Sequence, residues 1–129
     1  MSVDWGESRF GLAFGSLASS LIIPANFECF TINILEIISQ EVLKRQIKLI
    51  IIGYPTNFRG GKTSVSKMID DFIFTLKESH PDIDIETINE RCSTKEANKI
   101  LTKNSDKHKI NHQAAAKILE YYFYKRDIK

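Results

Sequence analysis

The sequence predicts one α/β domain in which a mixed five-stranded sheet is flanked by helices, and three observations support this. Bulky and small side chains alternate over residues 9–14, which follow a strand-like opening segment and predict a hairpin. The β-branched run at residues 49–52, bounded by Gly53, is typical of a strand buried on both faces. Helical and strand-like periodicities then alternate to the C-terminus. With 129 residues, the chain is long enough for one well-packed core but short for two domains.

The first half of the chain contains four predicted elements. Residues 1–5 form a short strand that ends in a tight turn at residues 6–8, and residues 9–14 form its partner. A third strand is predicted at residues 27–31, after Pro24. A helix is expected to begin after Asn33, a candidate N-cap, and to end near Arg45, because its apolar residues follow helical spacing.

The second half alternates strands and helices. The strand at 49–52 is followed by a polar loop at 54–62 and by a helix that His80 and Pro81 terminate. Another strand is predicted at 83–88, and a capping box at residues 93–96 predicts a helix that ends near Lys103. A loop at 104–109 leads to a last helix that begins at Ile110. The predicted order is β-β-β-α-β-α-β-α-α.

Composition excludes several classes of protein. The chain is 43% hydrophobic and 26% charged, and its apolar runs are far shorter than the roughly 18–20 residues that span a bilayer. Asp4 and Glu7 occupy the region where a signal peptide would be basic and then apolar. We therefore expect a cytoplasmic protein without a membrane partner. In that compartment its two cysteines, Cys29 and Cys92, are expected to be free. The expected assembly is a monomer or a weak homodimer.

The distribution of basic residues is more informative than the net charge of +2. Six lysines and arginines lie between residues 91 and 109, against two acidic residues. Lys95, Lys99 and Lys103 recur every fourth residue, so a helix would present them as one stripe. Two interpretations stay open, a solvated lysine face and a surface that contacts nucleic-acid phosphates.

Two acidic residues stand at the ends of predicted strands. Asp4 lies in an apolar setting between Val3 and Trp5, and Glu90 follows the strand at 83–88. Carboxylates in such positions could hold Mg²⁺ against a phosphate; the alternative for Glu90 is an ion pair with Arg91 or with a surface lysine. His108 and His112 straddle the predicted start of the last helix, and we expect this pair at the surface.

Four segments, in order, resemble the motifs of one family. Residues 4–13 read D-W-G-E-S-R-F-G-L-A, similar to the opening motif D-x-G-x-x-R-x-G-x-A of the YqgF (RuvX) family. Residues 52–60 resemble its V-G-L-P-x-N-x-x-G segment, residues 89–94 its D-E-R-x-[ST]-T segment, and residues 111–120 its closing D-x-x-A-A-x-x-I-L-[QE] helix. This family comprises Holliday junction resolvase-like proteins regarded as pre-16S rRNA nucleases.

The resemblance implies an RNase H-like fold over residues 1–129 and hydrolysis of phosphodiester bonds assisted by Mg²⁺ or Mn²⁺. It also implies a site in which Asp4, Glu90 and Asn111 are the catalytic, metal-binding positions. The residues expected to contact a nucleic-acid substrate, whether precursor rRNA or branched DNA, are Arg9, Asn57, Arg59, Lys62, Arg91, Lys95 and Lys99. A structural ion pair is the alternative role for Arg9, and a solvated loop is the alternative for Arg59 and Lys62.

The chain departs from the family pattern at two positions. Asn89 and Asn111 stand where the family usually has Asp. An amide keeps one oxygen but carries no negative charge and cannot act as a base, so we expect weaker metal binding. Two hypotheses follow: a metal-dependent nuclease that processes the 5′ end of pre-16S rRNA or cuts branched DNA, and a catalytically weakened relative that binds RNA or pre-ribosomes.

Overall fold

In the computed structural model, residues 1–55, 64–90 and 107–127 are described, and they form five strands and three α-helices. A single turn of 3-10 helix, Thr31–Asn33, precedes the first α-helix. The strands are β1 (Ser2–Asp4), β2 (Gly11–Gly15), β3 (Ile22–Pro24), β4 (Leu49–Pro55) and β5 (Asp84–Glu90). The α-helices are α1 (Ile34–Arg45), α2 (Ser64–Ser79) and α3 (Lys107–Asp127).

The strands form one mixed sheet in the order β3-β2-β1-β4-β5. β2 pairs antiparallel with both β1 and β3, whereas β4 lies between β1 and β5 and is parallel to both. The carboxyl ends of β1, β4 and β5 therefore meet at one edge of the sheet. This arrangement confirms the predicted α/β class and the mixed five-stranded, RNase H-like sheet.

Two apolar layers cover the two faces of the sheet. Val3, Leu12 and Ile52 belong to a core on one face, which includes buried residues of α1 and α2. Ala13 and Ile51 belong to the core that α3 forms on the other face. Successive residues of a strand point to opposite faces of the sheet, and residues two apart point to the same face. The position of a residue along its strand therefore shows which helices it faces.

The predicted third strand is wrong in position, because β3 lies at Ile22–Pro24 and not at residues 27–31. Pro24 lies in β3, an outermost strand of the sheet, and pairs with Ala13. A proline is tolerated in an outermost strand because no neighbouring strand needs its missing N–H. Residues 27–31 instead run beside the turn after β1, where they form one isolated bridge between Arg9 and Phe30.

The other predicted elements are confirmed, with shifted ends. β4 continues through Pro55 into the predicted loop, β5 reaches Glu90, and α3 begins at Lys107, three residues early. Asn33 precedes α1, but its side chain makes no capping hydrogen bond. The predicted helix at 93–103 lies outside the described residues. None of the described helices is long and apolar enough to cross a membrane.

Candidate active site

Asp4 is the last residue of β1 and lies at the edge where the parallel strands end. Its side chain is 2% exposed, next to the buried Val3 and Trp5. Asp4 points to the same face of the sheet as Ser2, two residues earlier in β1. The hydroxyl of Ser2 donates a 2.6 Å hydrogen bond to the carbonyl of Ala115 in α3. The Asp4 carboxylate is therefore on the face of the sheet that α3 covers, at the end where ligands bind in open α/β sheets.

Glu90 ends β5 at the same edge of the sheet. Ile52 in β4 pairs with Val3, so the next residue, Gly53, is level with Asp4. Gly53 in turn pairs with Ile88, two residues before Glu90. One strand, β4, thus separates the two acidic positions, and neighbouring strands lie about 4.8 Å apart.

Gly11 brings the beginning of α3 against the sheet beside Asp4. Gly11 pairs with Asp4 across the β1–β2 hairpin. A Cβ atom at Gly11 would overlap the backbone carbonyl of Asn111 and would lie 2.9 Å from the backbone nitrogen of His112. Glycine is therefore required for this close approach. The hairpin and α3 together place Asp4 and Asn111, two of the three positions implied by the motifs, next to the same glycine.

His112 holds α3 to the sheet directly beside this site. Its side chain is 1% exposed, so the prediction that it lies at the surface was wrong. The backbone N–H of Leu12 donates to Nδ1 over 3.0 Å, and Nε2 lies 2.6 Å from the carbonyl oxygen of Phe27. Nδ1 accepts and Nε2–H must therefore donate, which fixes the tautomer of the neutral ring.

The sequence contains a signal for this role of His112. The residue is three positions before Ala115 and seven before Leu119, both buried on the face of α3 that contacts the sheet. A helix that began at Ile110, as predicted, would have His112 in its frayed first turn. The observed start at Lys107 places it within the regular helix.

The turn that follows Asp4 is held by a close backbone contact and by hydrogen bonds from Thr31. A Cβ atom at Gly6 would overlap the carbonyl of Arg9. The hydroxyl of Thr31 donates a 2.6 Å hydrogen bond to the carbonyl of Gly6, and the N–H of Thr31 donates to the carbonyl of Ser8 over 2.9 Å. The segment before α1 thereby fixes the chain where it leaves the candidate site.

Arg9 forms the structural ion pair that was one of its two predicted roles. Its guanidinium lies 2.9 Å from Glu28 and 5.4 Å from the ring centroid of Phe30. One third of its side chain stays exposed, so the ion pair leaves it accessible. Its role as a substrate contact stays a prediction. The remaining predicted substrate contacts lie outside the described residues: Asn57, Arg59, Lys62, Arg91, Lys95 and Lys99.

Two of the three positions implied by the motifs carry oxygen donors of the type that a hard divalent cation prefers, the carboxylate of Asp4 and the side-chain amide of Asn111. Among the described residues, no three Asp, Glu, His or Cys side chains are grouped closely enough to hold a metal ion. Cys29 is buried and free, as predicted, and Cys92 lies outside the described residues. The described donors thus supply one formal negative charge.

Comparisons with known proteins agree with the motifs. The chain is 32% identical to a protein of Chlorobium phaeobacteroides (strain BS1), over 95% of this chain and 89% of the relative. It is 32% identical to a protein of Mycoplasmopsis synoviae (strain 53), over 92% of this chain and 91% of the relative. A protein of Chlorobium chlorochromatii (strain CaD3) is 30% identical over 84% of this chain and 77% of its own length. All three are named "Putative pre-16S rRNA nuclease".

The match extends over nearly the whole chain. The sequence model of the family described as "RuvX: Holliday junction resolvase" matches residues 1–125. That range includes the strand carrying Asp4, the end of β5 and most of α3. The chain therefore belongs to the RuvX family, the nuclease family that its four motifs resemble.

Proposed function

We propose that this protein is a metal-dependent nuclease that hydrolyses phosphodiester bonds at the 5′ end of pre-16S rRNA. One observation supports this most directly: the buried carboxylate of Asp4 stands at the carboxyl edge of the sheet, where Gly11 lets α3 bring Asn111 close. The names of the relatives supply the substrate class. The proposed substrate implies a cytoplasmic protein, and we expect a monomer or weak homodimer.

Asp4, Glu90 and Asn111 are the residues that would hold Mg²⁺ or Mn²⁺. When bound, such an ion lowers the pKa of a water molecule and stabilises the departing oxygen. Asp4 is fixed by its burial at the end of β1 and supplies negative charge. Asn111 supplies an oxygen but no charge, and its amide cannot accept the proton of the attacking water. Proton transfer must then go to a carboxylate or to solvent.

The predicted substrate contacts would bind phosphates around this centre. Arg9 is the described member of the set, and its guanidinium is partly exposed beside the turn after Asp4. We propose that the others act with it as a polar and mostly basic surface that follows the backbone of the nucleic acid: Asn57, Arg59, Lys62, Arg91, Lys95 and Lys99. Such contacts position a substrate without reading its sequence.

The direct test is cleavage of a structured pre-16S rRNA fragment during a Mg²⁺ titration, with wild type and Asp4→Asn. The substitution keeps the size of the side chain and removes its charge, so we expect metal-dependent cleavage to be lost. Asp71→Asn is the matched control, because Asp71 is exposed on α2, which packs on the opposite face of the sheet. Cleavage that survives in Asp4→Asn, with the variant folded, would disprove the proposed site.

A second function is favoured by the amides at positions 89 and 111, which lower the negative charge expected of the site. On this alternative the protein binds RNA or pre-ribosomes and cleaves poorly. RNA binding that falls with salt and persists in Asp4→Asn, without cleavage by either protein, would support it. Branched DNA in the same cleavage assay tests the resolvase activity that the family description names.

A further inference from the structure

An exposed aromatic ring lies beside the candidate active site. Phe30 is 42% exposed, although it is a large apolar residue in a segment held by backbone hydrogen bonds. The guanidinium of Arg9 lies 5.4 Å from its ring centroid, and Glu28 holds that guanidinium at 2.9 Å. Arg9 is thus oriented over the ring by a carboxylate, and the ring keeps a solvent-exposed surface.

The register of the strands places this pair on the face of the sheet that carries Asp4. Arg9 points to the same face of the sheet as Gly11 and Ala13, because these residues are two apart along the chain. Gly11 contacts the backbone of Asn111, and Ala13 packs in the core beneath α3. Phe30 bridges to Arg9, and directly paired residues share a face. Arg9 precedes Gly11, the partner of Asp4, by two residues, a rise of about 7 Å along the strand direction.

From this geometry, we propose that Phe30 and Arg9 form a stacking subsite for one unpaired nucleobase of the substrate. The inference rests on the proposed nuclease function and specifies its substrate: a nucleic acid with at least one unpaired base near the scissile phosphate. The ring supplies a π-face for the base, and the guanidinium can stack or contact the neighbouring phosphate.

The charge and location of the patch favour a nucleotide over a protein partner. The charged pair Arg9 and Glu28 flanks the ring of Phe30, whereas acidic residues are depleted at the core of protein–protein interfaces. A base that is stacked inside a duplex cannot reach an aromatic ring on the protein surface, so the subsite would select a single-stranded position. Stacking tolerates every base, so we expect little sequence preference.

The test measures binding of a five-nucleotide RNA in EDTA, where metal-dependent cleavage cannot occur. One base at a time is removed to leave an abasic sugar, and each oligonucleotide is compared on wild type and Phe30→Leu. Base–aromatic stacking corresponds to about a 5- to 150-fold change in affinity per base. We expect one abasic position to weaken binding to wild type by at least about fivefold, and to have no such effect on Phe30→Leu.

Two further variants separate base stacking from a general effect of removing an exposed aromatic ring. Phe30→Trp keeps an aromatic face and should retain the base dependence. Phe74→Leu is the matched control, because Phe74 is 65% exposed on α2, which packs on the opposite face of the sheet, and it should bind like wild type. Thermal unfolding of Phe30→Leu establishes that the variant is folded.

The proposal is overturned if Phe30→Leu binds every oligonucleotide like wild type, or if it loses the same factor for intact and abasic RNA. It is also overturned if the substitution dissociates a dimer in sedimentation, which would make Phe30 a protein contact. Because binding is measured without metal, these results are independent of the Asp4→Asn cleavage test. A protein that fails to cleave can still show base-dependent binding at Phe30, and the two failures are distinguishable.

Discussion

The imidazole of His112 accepts a hydrogen bond from the backbone N–H of Leu12, across 100 residues of sequence. With the carbonyl of Phe27 on its other nitrogen, this ring joins α3, β2 and the segment before α1. Both backbone groups are satisfied by one buried side chain. His112, the residue next to the proposed metal ligand Asn111, therefore holds α3 in a fixed position relative to the sheet.

His112→Leu should destabilise the protein because it leaves the N–H of Leu12 and the carbonyl of Phe27 unpaired in the interior. Each unsatisfied buried group costs about 1–3 kcal/mol, so we expect the two groups together to lower the free energy of unfolding by about 2–6 kcal/mol. Urea denaturation measures it. Gln113→Leu is the control, because Gln113 is the exposed neighbour on the same helix and should change stability little. Equal stabilities for the two variants would contradict this assignment.

Gly11→Ala tests whether close contact between β2 and α3 forms the site. The new Cβ would overlap the carbonyl of Asn111, which is backbone within a helix and cannot rotate away. We expect a loss of about 1–3 kcal/mol of stability together with loss of cleavage by the folded fraction. Thermal unfolding and the cleavage assay are the measurements.

Gly15→Ala provides the comparison in the same strand. Its Cβ would lie 2.9 Å from a side-chain carbon of Leu119 and from the backbone carbonyl of Leu21, at the end of β2 remote from Asp4. We expect it to spare cleavage in the folded protein. If Gly15→Ala lost activity and Gly11→Ala kept it, the contact with Asn111 would be irrelevant to the site.

Periodicity alone predicted most of the fold, because long elements bury regular faces. β4, α1 and α2 follow from unbroken apolar patterns, and each is within a few residues of its predicted bounds. β3 escaped prediction because it has three residues, and because Pro24 looks like a break before a strand although it belongs to an edge strand. The position of a short edge strand is determined by the strand it pairs with and not by its own sequence.

The candidate site was less accessible from residue patterns. Asp4 is notable as an acid in an apolar strand, but nothing local shows that Asn111, in the last helix, comes close to it. That proximity depends on Gly11, whose meaning becomes clear once the register of β1 and β2 is known. The family motifs supplied the connection because they preserve the order of segments that meet in space.

The thiol of Cys29 should resist alkylation in the folded protein. Burial, reinforced by the negative charges of Glu41 and Glu28, raises its pKa to about 12. The reactive thiolate is then about 10⁻⁴ of the population at pH 8, against about one quarter in an unfolded chain. In a Cys92→Ser background, iodoacetamide should label the native protein far more slowly than the urea-unfolded protein. Comparable rates would contradict the raised pKa.

The same shift predicts that stability decreases in alkali. A folded pKa above the unfolded value means that the stabilising contribution of the neutral thiol is complete below about pH 8.5 and is lost as pH rises towards 12. Cys29→Ala removes this dependence. In a Cys92→Ser background, we expect the stability advantage of Cys29 over Cys29→Ala to fall by up to about 2 kcal/mol between pH 8 and 10. A constant difference in urea denaturation would refute it.

Asn111→Asp tests the consequence of the amide most directly. Asn111 lies where α3 meets the Gly11–Asp4 pair, so a carboxylate there would add negative charge next to the buried Asp4. Without a cation, the two carboxylates should repel each other and lower the melting temperature. With Mg²⁺, attraction to the ion should offset that repulsion. We therefore expect tighter Mg²⁺ binding by calorimetry, a larger rise in melting temperature on adding Mg²⁺ than in wild type, and faster RNA cleavage.

Gln113→Glu is the control for charge alone, because it adds one carboxylate to the same helix at an exposed position. It should change the Mg²⁺ dependence little, since an exposed charge is screened by solvent and salt. If Asn111→Asp and Gln113→Glu responded alike to Mg²⁺, position 111 would not be a ligand. If Asn111→Asp bound Mg²⁺ more tightly without cleaving faster, the missing charge would explain the metal affinity of the site but would not limit the rate of cleavage.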